Sequence, residues 1–118
     1  MKLIIAGSRS LVGMVSLIDW AINRVGWKPT LIISGHAKGV DMAGESWAEQ
    51  SGIPIKRYIP DWDTHGKKAG FLRNSDMVRD GDGLLAIQYG QSKGTQHTID
   101  LAHQYGLPTL VIRLDVNV

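Results

Sequence analysis

The sequence contains no cysteine. Disulfides and thiolate metal sites are therefore excluded, and the composition suits a reducing cytoplasm, the expected location. Aromatic residues are scarce, at 7% of the chain, and the formal net charge is only +2. Single-strand nucleic-acid binding, which uses a basic groove and stacking side chains, is accordingly the least favoured of the functions considered below. The apolar run Leu3 to Ala6 is followed closely by Ser8-Arg9-Ser10. It is too short for a signal segment or a membrane span. Low-complexity tracts, long charge blocks and repeats are lacking. His36, His65, His97 and His103 include no pair at the i, i+4 spacing of a helical zinc site. No metal is expected, and no cofactor is called for. The Gly-x-Ser-x-Gly elbow of serine hydrolases is missing. So is a Walker loop: in Gly90 to Thr95, Lys93 precedes Gly94, the wrong order.

What remains is an ordinary globular composition, 118 residues long with 43% apolar residues. That fits one domain, residues 1–118, able to bury a core without covalent staples. Hydrophobic periodicity divides it into alternating strands and helices. Leu3 to Gly7 is a central strand, and a helix runs from about Val12 to Val25, ended by Gly26 with Pro29 beyond. Thr30 to Ile33 is the second strand, and Val40 to about Gln50 the second helix. Pro54 to Ile59 is a more polar, edge-like strand. Pro60 to Lys68 reads as a loop, Ala69 to Arg79 as the third helix, and Asp80 to Gly83 as a turn. Leu84 to Tyr89 is the fourth strand, Gly90 to Gly94 a glycine-containing turn, Thr95 to Tyr105 the fourth helix, and Pro108 to Leu114 the fifth strand.

Such alternation specifies an α/β fold, a Rossmann-like three-layer sandwich: a five-stranded parallel sheet with helices on both faces. The strand order expected is 3-2-1-4-5. Ligands of such sheets bind beyond the carboxyl ends of the strands, where the order reverses. That order brings Gly7-Ser8-Arg9, Ser34 to Gly39 and Gly90 to Thr95 to one edge.

The stretch Ser34-Gly35-His36-Ala37-Lys38-Gly39-Val40-Asp41 lies between a strand and a helix. A strand–glycine turn–helix unit points free backbone N–H groups at an anion. Gly35 and Gly39 let a ligand approach the main chain, and Lys38 adds positive charge. Glycines at such a turn also serve geometry alone. Arg9 can hold a phosphate bidentately, and Ser8 can bond it or cap the next helix. Ser92, Gly94 and Thr95 open the fourth helix and suit either an anion or simple capping. Asp41 and Glu45, four apart on one helix face, can accept from ribose hydroxyls or act as acid–base groups. Alternatively, Asp41 offsets the helix dipole and Glu45 is a surface acid. Asp61-Trp62-Asp63 with His65, Lys67 and Lys68 forms a polar loop in which Trp62 can stack on a base and Lys67 can meet a phosphate. Arg73 and Asn74 follow on the next helix. Trp20, Trp27 and Trp47 serve the core or a contact between copies, a homodimer or larger homo-oligomer.

These segments in this order, from Ala6-Gly7-Ser8-Arg9 through Ser34 to Asp41, Asp61-Trp62, Gly66 to Gly70, Arg73-Asn74, Met77 and Ser92 to Thr95, resemble the YspA/YpsA-related branch of the SLOG superfamily. The resemblance covers nearly the whole chain. It implies a Rossmann-like protein of bacteria or phages that binds a nucleotide or nucleotide-derived molecule, as a sensor or ligand-binding module. The superfamily is related to lonely-guy phosphoribohydrolases, so the alternative is a nucleoside 5′-monophosphate N-glycosidic hydrolase. It is also related to the DNA-processing protein A domain, which binds single-stranded DNA. Two departures stand out. The usual Gly-Gly pair of the second loop is Gly35-His36, and Thr98 stands where lonely-guy enzymes carry their catalytic Glu. A hydrolase would then depend on Asp41 or Glu45.

Overall fold

The computed structural model describes residues 1–115. Its strands are β1 (Lys2–Gly7), β2 (Leu31–Ser34), β3 (Ile55–Arg57), β4 (Gly83–Tyr89) and β5 (Thr109–Leu114). They form one parallel sheet in the order β3-β2-β1-β4-β5. The helices are α1 (Val15–Val25), α2 (Val40–Ser51), a short α3 (Trp62–His65), α4 (Ala69–Asp80) and α5 (Lys93–Gln104). The fold is the Rossmann-like sandwich expected from the sequence.

The sheet has two apolar faces because side chains alternate along each strand. Leu3 and Ile5 of β1 join Leu85 and Ile87 of β4 under Ile18, Ile22 and Trp47 of α1 and α2. Ile4 and Ala6 join Leu84 and Ala86 under Met77, Val78, Ile99 and Ala102 of α4 and α5. The central strands are covered on both sides, which is why they read as unbroken apolar runs. Trp47 is a core residue, and its indole N–H donates to Asp19 Oδ1 at 3.0 Å. Trp27 packs against the same cluster, and Trp20 is exposed.

Three local readings need correction. The first helix starts at Val15, not Val12, because Gly13 takes a left-handed φ of 69° that ends helical continuity before it; Val12 is 83% exposed. The third strand is only Ile55–Arg57, since pairing with β2 ends at Ser34↔Arg57. The stretch 60–68 is not a plain loop. Asp61 caps α3 through a bond from the Thr64 N–H to its Oδ1, and a 3-10 turn at Gly66–Lys68 leads into α4.

At the other end of the sheet, Asp80 accepts from Lys2 Nζ at 3.0 Å, Lys56 Nζ at 2.8 Å and Tyr58 Oη at 2.6 Å. These donors hold its carboxyl well below the usual carboxylate range. The cluster ties β1, β3 and the end of α4 together, away from the carboxyl ends of the strands.

Candidate functional site

Strand order reverses between β1 and β4, and a cavity of about 380 Å³ opens there at their carboxyl ends. From the β1 end it is lined by Gly7, Ser8, Arg9 and Ser10. Ala37 and Asp41 come from the second loop and α2, Arg73, Asn74 and Met77 from α4, and Tyr89, Gln91, Ser92, Gly94, Thr95 and Thr98 from the end of β4 and α5. Segments distant in sequence thus meet at one rim.

Close main-chain packing creates that rim. A Cβ on Gly7 would lie 2.1 Å from the Ile87 carbonyl oxygen, and one on Gly39 would lie 2.3 Å from that of Ser8. Ser8 clamps the two strand ends: its hydroxyl accepts from the Tyr89 N–H at 2.9 Å, while its own N–H donates to Ile87 at 3.0 Å. Ser8 is therefore a strut of the cavity wall, and it does not cap α1.

Asp41, in the first turn of α2, is buried beside the cavity and accepts from the Ala37 N–H at 3.3 Å. Burial pushes its carboxyl up to about 6, against the opposing influence of the Ala37 amide, Arg73 and the Gly7 amide. A carboxyl so tuned changes protonation close to neutral pH. Arg73 Nη1 donates to the Gly35 carbonyl at 2.6 Å, and its Nε donates to Asn74 Oδ1 at 2.9 Å. Burial, partly offset by Asp41, lowers its pKa, and nearby Arg9 adds to the lowering. Arg73 and Arg9 thus place two cations at one cavity. Arg9 itself is exposed and forms no salt bridge among the described residues.

The opposite wall is the start of α5. The first-turn N–H groups of Lys93, Gly94 and Thr95 have no partner within the helix. Ser92 does not cap them, because its hydroxyl donates to Thr95 Oγ1 at 2.9 Å. The turn is held from behind: the Gly94 carbonyl accepts from Thr98 Oγ1 at 3.1 Å and from Asn74 Nδ2 at 3.3 Å. Asn74 Nδ2 also lies 3.2 Å from His97 Nδ1. The result is a positive helix terminus facing two guanidinium groups across a polar cleft.

Several residues expected at the site lie elsewhere. Glu45 is buried outside the cavity with its carboxylate fully engaged: Ser34 Oγ, His36 Nδ1 and Arg57 Nε approach it at 2.7 Å each. Burial disfavours its charge, but these three donors outweigh burial and hold the carboxyl below its usual range. Four residues along a helix is ~6 Å along its axis, and that carries Glu45 away from the rim that Asp41 faces. Ser34 is occupied by Glu45 and by the His36 N–H. His36 adopts a left-handed φ of 59° and leans on Glu45 rather than facing the cavity. Gly35 lies directly behind Asp41 and Arg73: a Cβ there would meet both within 3 Å. Lys38 and Gly39 are absent from the cavity lining, as are Trp62 and Lys67. Trp62 is half-exposed on α3, against Gly70. Three of the second-loop amides expected to grip a phosphate are taken: His36 by Ser34, Ala37 by Asp41, Val40 by the Ser8 carbonyl. The first turn of α5 lines the cavity instead. Of the lining residues not expected, Gln91 lies in the glycine-containing turn that follows β4, whereas Ser10 and Tyr89 belong to no motif in the sequence.

Residues 1–65 match the YspA, cpYpsA-related SLOG family. The chain is also similar to the "Gene 61 protein" of Mycobacterium phage D29, with 34% identity over 117 residues that cover 92% of this chain and 94% of that protein. A match to the family over more than half the sequence, with a relative aligned along almost all of it, establishes that the chain belongs to the YspA, cpYpsA-related SLOG family.

Proposed function

We propose that the cavity binds a nucleotide or nucleotide-derived small molecule, with a phosphate at the N-terminus of α5. The observation that carries this reading is the uncapped first turn of α5 facing Arg9 and Arg73. Neutral metabolites gain nothing from that arrangement, whereas a phosphate accepts from helix amides and from guanidinium forks together. Asp41 cannot accompany the phosphate closely as an anion. It suits the ribose hydroxyls, as acceptor when ionised and as donor when protonated. Membership of a SLOG family supports a nucleotide-related ligand.

Titration calorimetry with nucleoside mono- and diphosphates tests this. Binding is expected for the phosphorylated compounds and not for the free nucleosides, and Arg73→Ala should weaken it. Equal binding of nucleoside and nucleotide, or no binding of either, refutes the reading.

A second reading, N-glycosidic hydrolysis of nucleoside monophosphates, is favoured by one observation. A carboxyl with a pKa of about 6 at a polar cavity matches what a general acid or base needs near neutrality. Asp41 would carry that chemistry alone, since Glu45 is fully engaged and Thr98 has no acid function. Chromatographic detection of released base, abolished in Asp41→Asn, supports it; release that persists in that variant, or no release by the wild type, rules it out.

A further inference from the structure

The sheet has two edges, and they are finished differently. At one edge β3 is three residues long, with Lys56 and Arg57 exposed. A short, charged edge strand discourages pairing with another chain. At the other edge β5 is six residues long, and Arg113 is its only charge. No strand covers its outer side among the described residues. Leu110, Ile112 and Leu114 lean on the core cluster under α1 and α2, and Val111 on the cluster under α4 and α5, yet all four stay partly exposed. The direction of the β5 backbone follows from one bond: the Leu84 N–H donates to the Pro108 carbonyl at 2.9 Å. In a parallel ladder alternate residues turn both backbone groups to the same neighbour. Leu110, Ile112 and Leu114 therefore bond to β4, while Thr109, Val111 and Arg113 turn their N–H and C=O groups outward.

We infer that the outer edge of β5 pairs with β5 of a second copy of this chain, antiparallel about a two-fold axis at Val111, so that two sheets join into one. Only a strand can satisfy a row of outward N–H and C=O groups. The same strand is complementary to itself in this register. The outward residues oppose one another as hydrogen-bonded pairs, Val111 with its own copy and Thr109 with Arg113 of the other chain. Between them Leu110 faces Ile112 of the other chain, an apolar pair that continues the core cluster across the axis. Arg113 meets a threonine and never its own copy, so no like charges oppose. A two-fold interface of this kind closes on itself. It sets the two cavities at opposite ends of the joined sheet, so each site is complete within one chain. A ladder of this length is at the small end of stable interfaces, and dissociation in the micromolar range is expected.

Sedimentation equilibrium across the micromolar range, with amide hydrogen exchange followed residue by residue, tests the pairing. The wild type should pass from monomer to dimer. The Thr109, Val111 and Arg113 amides should exchange freely in dilute solution and slow as the dimer forms, while those of Leu110 and Ile112 stay protected throughout. Two substitutions at one position then check the register. Thr109→Glu places an acid opposite Arg113 and should tighten the dimer, and Thr109→Lys places a like charge there and should weaken it. Each change should be about two- to thirtyfold, because symmetry counts every cross-strand pair twice. A monomer at all concentrations, an assembly larger than a dimer, or a dimer whose Val111 and Arg113 amides remain unprotected overturns the inference. So does a dimer that the two substitutions leave unchanged or shift in the same direction. The exchange measurement uses the wild type alone, so it decides the matter even if a variant fails to fold.

Discussion

Asp41→Asn isolates the electrostatic cost of the cavity. Burial raises the Asp41 carboxyl from 3.8 to about 6 in the folded protein. The folded state therefore binds this proton more tightly than the unfolded chain does, and ionisation destabilises the fold. The sign follows: the penalty is fully present above pH 6, is relieved as pH falls, and is gone below about 3.8. At about 1.4 kcal/mol per pKa unit, the whole effect is about 3 kcal/mol. Of this, about 1.4 kcal/mol is relieved between pH 8 and pH 5, worth roughly 5 °C in melting temperature for a domain of this size. Asparagine keeps the shape and cannot ionise. Urea denaturation of both proteins at pH 5, 6, 7 and 8 should therefore show the variant gaining about 1.4 kcal/mol on the wild type as pH rises. His97, whose pKa burial lowers, and Asp80 titrate alike in both proteins and cancel from the comparison. A difference that stays flat with pH, or shrinks as pH rises, would refute the reasoning. It would mean that Arg73 and the amides of Ala37 and Gly7 stabilise the charge more than burial opposes it.

Gly7→Ala should destabilise by at least ~2 kcal/mol, the range for overpacking a close-packed interior, because its methyl group would strike the Ile87 carbonyl and prise β1 from β4. Gly94→Ala, whose Cβ enters open space, should keep the wild-type melting temperature, and a thermal melt of both distinguishes them. Asp80→Asn should cost roughly 1 kcal/mol at neutral pH, as for partly exposed ion pairs. Since the native pKa of Asp80 is depressed, that difference should vanish in acid, as pH falls through its folded value. Glu45→Gln should loosen the second loop, seen as faster amide exchange at His36 and Ala37, while leaving the α5 wall unchanged. Unaltered exchange there would show that the Ser34, His36 and Arg57 contacts do not hold the loop.

The sheet was legible because its strands declare themselves locally. Each is a short apolar run between turn residues, and parallel crossover rules leave few strand orders. The convergence of Gly7–Arg9 with Ser92–Thr95 then follows from topology alone. The stretch 60–68 was misread because its capping residue, Asp61, precedes a run with no apolar periodicity, the usual mark of a helix. Glu45 lies off the rim for a different reason. Spacing along a helix reports the angle around its axis and not the distance from a rim, nor the presence of Arg57 on another strand. The outward backbone of Thr109, Val111 and Arg113 was invisible for a related cause: it is set by strand register, which no local pattern reveals.

Among the described residues, the sheet is a wall between two separate core clusters. Helix α2 roofs one interior and helix α5 the other, yet both helices begin at the same mouth. A molecule gripped by Asp41 and by the start of α5 together would act as a buckle between the two layers. Occupancy should then make the layers come apart in one step, where the empty protein is free to loosen one before the other.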